Sequence, residues 1–336
     1  MARRPFRIGG DRQSALDIVS YGRRGAGHPA VFTPAQVAQI ARTVRRTPEV
    51  MVKVSGGGST PGAVAAHFQF ISRNGELEME TGDGGHMQGK DDVKSLVENW
   101  GLDLDAMTDR DNYRMRGGRT PTPKLVHNIV LSMPASTPPG KLLAASRAFA
   151  REEFGLQHRY ALVLHTDQDH PHVHLVVSAH RLESGRLNIR KADLRRYREQ
   201  FARQLRAQGV AANATPAQIR GRLSDHQRDG VYRPALRHES KVEWERAWAV
   251  TQVPNSGTTG EAAIPSRIAE TAATVRQDWR SVSATLMRQG MDSLAREVEQ
   301  YVHSLRVPKT RHGREVRRLQ QAPSAPPPPR QLELVR

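Results

Sequence analysis

Four histidines stand close together in the segment HTDQDHPHVHLVV, residues 165–177. In an extended strand, side chains two residues apart lie on the same face, so His172 and His174 share one face. A polar turn brings the preceding strand, which ends at His165, back beside them. Three neutral imidazoles that converge in this way can hold one divalent cation and leave coordination positions open for a substrate. The alternative is that they are ordinary surface or core histidines.

Other polar residues of the same turn could support the three imidazoles. Asp167 and Asp169 are near enough in sequence to orient an imidazole or to approach a bound metal ion. His170 has the same alternation as the two strand histidines, but Pro171 follows it and leaves its direction open. We therefore interpret His170 as a supporting or solvent-facing residue rather than as a ligand.

Two strands and a turn must position these histidines. Residues 160–165 and 172–179 predict the two strands of a β-hairpin. The remaining pattern predicts strands at 50–54, 76–81, 126–133 and 186–189, and helices at 61–73, 91–100, 141–154 and 191–208. This order predicts an α+β fold with a mainly antiparallel central sheet and flanking helices. Apolar spacing after residue 265 predicts an additional helical C-terminal region.

The charge of the chain favours a polyanionic partner. The 336 residues include 51 Lys and Arg against 34 Asp and Glu, a net charge of +17. Residues 61–180 do not share this excess, since 15 acidic side chains there outnumber 12 basic ones. A uniform arginine bias would not leave this region near neutral. Basic segments around a near-neutral site favour a strand of nucleic acid held electrostatically.

Composition also excludes several classes of protein. The chain has no Cys, which rules out disulfides, cysteine-ligated zinc and iron–sulfur clusters. It has no apolar run long enough for a membrane-spanning helix, so we expect no membrane insertion. The first residues, MARRPFRIGGDR, lack the apolar core of a signal peptide, which predicts a cytoplasmic protein.

The histidine segment resembles the third motif of the MobA and VirD type conjugative relaxases, which belong to the His-hydrophobe-His (HUH) endonuclease superfamily. The resemblance covers residues 48–222. Its segments, in order, are VMVKVSGGG (residues 50–58), HFQFISRNGELEMETGDGG (67–85), HNIVLSMPASTPPGKLLAASRAFAREEF (127–154), the histidine motif, SGRLNIRKADLRRYREQFARQL (184–205) and GVAANATPAQIRG (209–221).

The resemblance implies a plasmid-transfer or mobilisation nuclease. Its members nick one specific DNA strand, presented in single-stranded form, at a transfer origin. A tyrosine hydroxyl becomes joined to the 5′-phosphate. The implied metal ligands are His165, His172 and His174, holding a divalent metal ion, Mg²⁺ or Mn²⁺. Asp167 is the implied orienting or activating carboxylate. The implied partners are transfer-origin DNA, relaxosome accessory proteins and a type IV secretion coupling protein.

The sequence departs from the family at the nucleophile. The position that matches the catalytic tyrosine is Phe70, which has no hydroxyl and cannot attack phosphorus. Three explanations stay open. Another group attacks, either His67, which lies one helical turn earlier and could form a phosphoramidate, or a tyrosine such as Tyr21. Water attacks, which makes the protein a simple nuclease. Or this copy has lost cleavage and retains DNA binding.

Two groups of residues are predicted to contact DNA. Ser132, Ser136 and Thr137 lie in the segment that matches the family's second motif, which contributes to DNA contacts. Basic residues follow the histidine strand, and their phosphate contacts would give affinity without reading sequence. These residues are Arg186, Arg190, Lys191, Arg195 and Arg198. The alternative for this second group is a solvated helix surface.

The sequence predicts five segments. These are a basic N-terminal arm (1–47, with Arg3, Arg4 and Arg7), a relaxase nuclease domain (48–222), an extension and linker (223–264), a helical accessory region (265–322) and a proline-rich disordered tail (323–336). The leading hypothesis is a relaxase-like DNA-processing enzyme. The alternatives are a non-catalytic origin-binding relaxosome protein and an unrelated metal-dependent hydrolase of a small molecule, which the charge disfavours.

Overall fold

A computed structural model describes residues 31–115, 123–221 and 266–305. The described residues fall into two compact units, Arg46–Ala214 and the described parts of Met1–Arg45 with Thr215–Arg336. In chain order, the elements are α1 (Pro34–Val44), β1 (Met51–Gly56), α2 (Pro61–Ile71), β2 (Met79–Thr81), β3 (His86–Met87), α3 (Lys90–Asn99), α4 (Leu102–Met115), β4 (Val126–Ser132), α5 (Pro139–Phe154), β5 (Tyr160–His165), β6 (His172–Ser178), α6 (Lys191–Ala207), α7 (Ser266–Arg288) and α8 (Asp292–Ser304). No helix in these ranges is both long and apolar enough to cross a membrane.

The unit Arg46–Ala214 is built on one six-stranded sheet with the order β1-β4-β6-β5-β2-β3. Every pairing between these strands is antiparallel. The predicted hairpin is present, and its register places His165 opposite His172. On its other side, β6 pairs with β4, which places Ser132 opposite His172 and Val130 opposite His174. The α+β class with a mainly antiparallel sheet and flanking helices is therefore confirmed.

Alternation along β6 divides the core between the two faces of the sheet. Val173, Leu175 and Val177 point to the face covered by α5 and α6, where they join a cluster around Phe149. Val176 points to the other face, where it joins a cluster formed largely by α2, α3 and the start of α4. His172 and His174 have the same alternation as Val176, so the histidines lie on the α2 face.

The structure corrects three sequence predictions. The strand predicted at 76–81 is formed only over Met79–Thr81. The strand predicted at 186–189 is reduced to one bridge between His180 and Arg186, because hydrogen bonds of the Arg186 side chain, rather than a ladder, fix this segment. The helix α4 was not predicted. Its segment is rich in aspartate, a poor helix former, and the buried Leu102 holds it against the core.

The other unit is helical in its described part. α1 begins with Thr33 as N-cap in a reciprocal capping box with Gln36. Trp279 of α7 is fully buried and donates its indole N–H to the carbonyl oxygen of Ile219 (2.9 Å), and its ring lies 5.1 Å from that of Tyr301 in α8. The predicted helical C-terminal region is thus present over α7 and α8.

Several predicted features lie outside the described residues. They are the arginines of the N-terminal arm, Tyr21, the linker at 223–264 and the proline-rich tail. The five-segment division stays a prediction. The described sheet unit, which ends at Ala214, is slightly shorter than the nuclease domain expected over 48–222.

Candidate functional site

Three imidazoles converge at the turn end of the β5–β6 hairpin. The ring centroid of His165 lies 4.5 Å from that of His174 and 5.1 Å from that of His172, and the last two centroids are 5.1 Å apart. One ring nitrogen from each residue lies within 4.8 Å of the other two. His165 and His172 are buried. The hairpin register therefore assembles the three-histidine cluster that the sequence predicted.

Backbone carbonyls determine which ring nitrogens of the cluster can bind a metal. Nε2 of His165 lies 2.6 Å from the carbonyl oxygen of Ile71, and Nδ1 of His172 lies 3.1 Å from that of His170. A carbonyl oxygen only accepts, so both of these nitrogens carry protons and donate. The lone pair of His172 then remains on Nε2, and that of His165 on Nδ1, where Nη2 of Arg73 donates to it at 3.4 Å and a bound metal ion would take its place. Such backbone anchoring is typical of histidines that bind metal.

The surroundings of the cluster disfavour the charged form of two of its imidazoles, His165 and His174. Burial, with the neighbouring His165 and His172 rings adding to it, lowers the pKa of His174 to about 3. Burial also lowers the pKa of His165. Since a metal binds the neutral imidazole, the lowered pKa values of His165 and His174 favour metal binding, and the three convergent ring nitrogens fit a divalent cation.

The C-terminal end of α2 lies beside this cluster. Val64, Phe68 and Ile71 face the core, so Phe70 projects outward and is 60% exposed. The ring of His67 lies 6.4 Å from that of His174 and 6.4 Å from that of Phe70. Thus the predicted alternative nucleophile lies beside the histidine cluster, and the residue at the expected tyrosine position lies beside that alternative nucleophile.

His67 has an unusual environment. Its Nε2 is buried and has no hydrogen-bond partner among the described residues. Burial lowers the pKa of its imidazole, so the ring is neutral near neutral pH. A buried polar atom without a partner is costly unless a ligand or water supplies one.

The structure brings one further residue to the site that sequence reasoning missed. Nη2 of Arg73 donates to Oδ2 of Asp167 (2.5 Å) and lies 3.4 Å from Nδ1 of His165. This hydrogen bond to Arg73 lowers the pKa of Asp167. Oδ1 of Asp167 is 3.8 Å from Nδ1 of His165, so the predicted carboxylate lies next to the cluster. The available signal was the helix end at Arg73–Asn74–Gly75, which places the basic side chain three residues after Phe70.

Ser132, Ser136 and Thr137, which were predicted to contact DNA, differ in their exposure to solvent. Ser132 is buried, and its hydroxyl donates to the carbonyl oxygen of Pro171 (3.3 Å). Thr137 is also buried, whereas Ser136 is exposed. Ser132 therefore braces the turn before His172, and the DNA contact of all three residues stays a prediction.

Arg186 is engaged within the protein. It donates through Nη1 to Oδ1 of Asp109 in α4 (2.5 Å) and through Nη2 to the carbonyl oxygen of Lys124 (2.6 Å). Asp109 also lies 3.2 Å from Nε2 of His180. This buried cluster fixes α4 to the segment that follows β6, and the predicted DNA contact of Arg186 would have to compete with it.

The other predicted basic residues are exposed. Arg190 precedes α6, and Lys191, Arg195 and Arg198 lie in its first half. α6 packs on the sheet face opposite to the three histidines. The structure therefore does not gather these residues around the histidine cluster, and their role in binding DNA stays a prediction.

Comparisons with known proteins agree with this geometry. Residues 86–210 match the family model "Relaxase: MobA/VirD2-like, nuclease domain". The match includes the three histidines and begins after Phe70. The chain is 27% identical over 148 residues to the T-DNA border endonuclease VirD2 of Rhizobium radiobacter, which covers 40% of this chain and 32% of the relative. It is likewise 27% identical over 146 residues to the VirD2 of Rhizobium rhizogenes, covering 40% of this chain and 32% of the relative.

One similar solved structure comes from work described as "Molecular Basis of Vancomycin Resistance Transfer in Staphylococcus aureus". It is 11% identical, covers 51% of this chain and 99% of that chain, and has a TM-score of 0.32. The aligned region spans about a third of the length of the VirD2 relatives. Residues 86–210 are therefore similar to the nuclease domain of MobA/VirD2-like relaxases.

Proposed function

We propose that this protein processes single-stranded DNA at a transfer origin, and that the three-histidine cluster binds a metal ion and the phosphodiester to be nicked. The observation that carries the proposal is the convergence of three imidazoles beside the end of α2. The net charge of +17 supports a polyanionic substrate. The family match supports a nuclease of this type.

His165, His172 and His174 would hold the metal ion, for which we propose Mg²⁺ or Mn²⁺. When bound, the ion supplies a positive charge that polarises a phosphate oxygen and stabilises the transition state. Asp167 accepts a hydrogen bond from Arg73 and lies 3.8 Å from His165, so it holds the guanidinium next to the cluster.

The nucleophile cannot be Phe70, so we propose His67 in its place. Its Nε2 carries no hydrogen bond among the described residues, and its ring lies beside that of His174. The lone pair of the neutral imidazole would attack phosphorus, forming a P–N bond while the P–O3′ bond breaks. The 3′-oxygen would take a proton from water and leave as a hydroxyl, and the phosphorylated imidazolium would release its Nδ1 proton to the hydroxide that remains. The product would be a 5′-phosphoramidate on His67 and a free 3′ end.

The test is an adduct assay with oligonucleotides that tile the transfer origin. The protein is incubated with each single-stranded oligonucleotide and Mg²⁺ or Mn²⁺, and covalent adducts are resolved on a denaturing gel. We expect a metal-dependent adduct that disappears in His67→Ala and is cleaved by mild acid, because a P–N bond is acid-labile. His170→Ala is the control: it removes an exposed histidine of the turn between β5 and β6, and this variant should retain the adduct.

Phe70→Tyr separates the remaining possibilities. Because the ring is exposed, a hydroxyl added to it costs little stability. An acid-stable adduct that forms only in Phe70→Tyr would mean that the natural chain lacks a nucleophile. A nick without any adduct in the natural chain would mean that water attacks. Either result would refute His67 as the nucleophile.

The second candidate is a non-catalytic protein that binds origin DNA within the relaxosome. The replacement of the expected tyrosine by Phe70 favours it. It predicts single-stranded DNA binding that survives His172→Ala, with no nick and no adduct even in Phe70→Tyr. In either case we propose relaxosome accessory proteins and a type IV coupling protein as partners and the cytoplasm as the location.

A further inference from the structure

We propose that Arg73 is a phosphate-binding residue of the histidine site, whose guanidinium binds a non-bridging oxygen of the DNA phosphodiester. The inference rests on the proposed function, because it names the protein group that meets the phosphate. It assigns a role to a residue that the spacing of the histidines does not point to. The family match begins at residue 86 and does not reach this residue.

The backbone holds Arg73 at the edge of the cluster in an uncommon conformation. Arg73, Asn74 and Gly75 have φ angles of +53°, +58° and +88°. Residues other than glycine rarely adopt this left-handed region, and they remain in it where the surroundings impose it. Such residues concentrate at functional sites.

The turn around Arg73 is fixed on several sides. Leu77 N–H donates to the carbonyl oxygen of Ser72 (2.8 Å), and Gly75 N–H donates to the Ser72 hydroxyl (3.1 Å). A Cβ on Gly75 would lie 2.4 Å from the backbone carbon of Gly89. Hydrogen bonds and packing thus restrain the backbone of the turn, and with it the Cα from which the Arg73 side chain extends.

The guanidinium of Arg73 is held in place by only some of its hydrogen-bond donors. The hydrogen bonds that its side chain makes with described residues all start from Nη2 and end on Asp167 or His165. Its Cζ lies 5.4 Å from the centroid of the exposed Phe70 ring. The side chain is 31% exposed, so Nη1 and Nε are the donors that remain for a ligand. A planar guanidinium with free donors matches the geometry of a phosphate.

Charge around the cluster supports the same role. Asp167 pairs with Arg73 and places a carboxylate beside the three imidazoles. Arg73 is therefore the protein cation closest to the candidate metal-binding nitrogen of His165 among the contacts described (3.4 Å). Without it, the Asp167 carboxylate would repel an approaching phosphate.

The experiment measures binding of a labelled single-stranded oligonucleotide of mixed sequence by fluorescence anisotropy, using the full chain. The measurement is made with EDTA and with Mn²⁺, over a series of salt concentrations. Arg73→Gln should weaken binding about tenfold or more and reduce the salt slope by about 0.7. Arg73→Lys keeps the charge, so it should retain the slope while losing part of the affinity.

Arg203→Gln is the matched control. Arg203 also pairs with a carboxylate, Glu152, but it lies on α6, on the sheet face opposite to the histidines. Its replacement should leave binding unchanged. If Arg73→Gln binds DNA as Arg203→Gln does, the pair between Arg73 and Asp167 is only structural and the inference is wrong.

A double variant removes the remaining ambiguity. Arg73→Gln alone leaves Asp167 unpaired, and its repulsion could weaken binding without any lost contact. We expect Arg73→Gln combined with Asp167→Asn to bind about tenfold more weakly than Asp167→Asn alone. Equal binding by these two variants would overturn the inference. A natural chain that binds no single-stranded DNA at all would instead refute the proposed function.

Discussion

Replacing His172 with Ala should abolish the stabilisation of this protein by divalent metal. The three ligand nitrogens come from two paired strands and converge only when β5 and β6 are in register. The unfolded chain does not hold them together, so the metal binds the folded state selectively. Metal binding therefore adds directly to the free energy of unfolding.

The expected size of the effect follows from mass action. Metal at a hundred times its dissociation constant adds about 2.7 kcal/mol to the free energy of unfolding. For a domain in the size range of Arg46–Ala214, 1 kcal/mol raises the melting temperature by about 2–4 °C, so the shift should be about 5–10 °C. If loss of one ligand weakens binding about a hundredfold, the same metal concentration adds only about 0.4 kcal/mol. The shift should then be about 1 °C.

The pH dependence of this shift provides a second check. An ordinary imidazole would lose about fourfold in metal affinity between pH 7.5 and 6 through competition with protons. His165 and His174 should add no such loss, because burial lowers their pKa values, that of His174 to about 3. The metal-free protein should become less stable as the pH falls below about 6.5, because the unfolded chain then takes up protons that folded His174 does not.

The assay is thermal unfolding with and without Mn²⁺ or Mg²⁺, at both pH values. His170→Ala is the control, since it removes an exposed imidazole of the same turn and leaves the backbone carbonyl that accepts from His172. A full metal-induced shift in His172→Ala would show that the cluster is not the metal site. Loss of the shift in His170→Ala would place the metal elsewhere in the turn.

Three further predictions concern the framework of the site. Phe149→Ala should lower the free energy of unfolding by about 3–5 kcal/mol in urea, because Phe149 is fully buried; a loss under 1 kcal/mol would mean that the core repacks. Gly75→Ala should destabilise the protein more than Gly84→Ala does: both have positive φ, but an added Cβ at Gly75 meets backbone and one at Gly84 meets open space. Equal melting temperatures for these two variants would contradict the described packing. Asp109→Asn should cost about 1–3 kcal/mol, since Asp109 is buried with Arg186 as an ion-pair partner; an unchanged urea midpoint would refute that pairing.

Local pattern in the sequence was sufficient for much of the fold. The alternation in HVHLVVS predicted β6 and the shared face of its two histidines, and the polar turn before it predicted the hairpin. The helices α2, α5 and α6 were also predicted close to their observed bounds. These elements depend on the period of side chains within a few residues, which a sequence displays directly.

Elements that depend on distant partners were not predictable in this way. α4 has an aspartate-rich sequence and is held by contacts of Leu102 and Asp109 with other segments. The predicted strand at 186–189 failed for the same reason, since the side-chain hydrogen bonds of Arg186 define that segment.

The sequence alone predicted the residues of the candidate site: three histidines with metal-ligand spacing, and Phe70 at the position where the family resemblance implies a tyrosine. Only the tertiary structure decided what surrounds them. It brought the end of α2 to the hairpin, so that Arg73 meets Asp167 across 94 residues of sequence and His67 lies beside His174. It also paired Arg186 with Asp109 and placed α6 on the opposite face of the sheet. Residue types and strand period are local properties, whereas the pairing of distant charges depends on how the helices pack on the sheet.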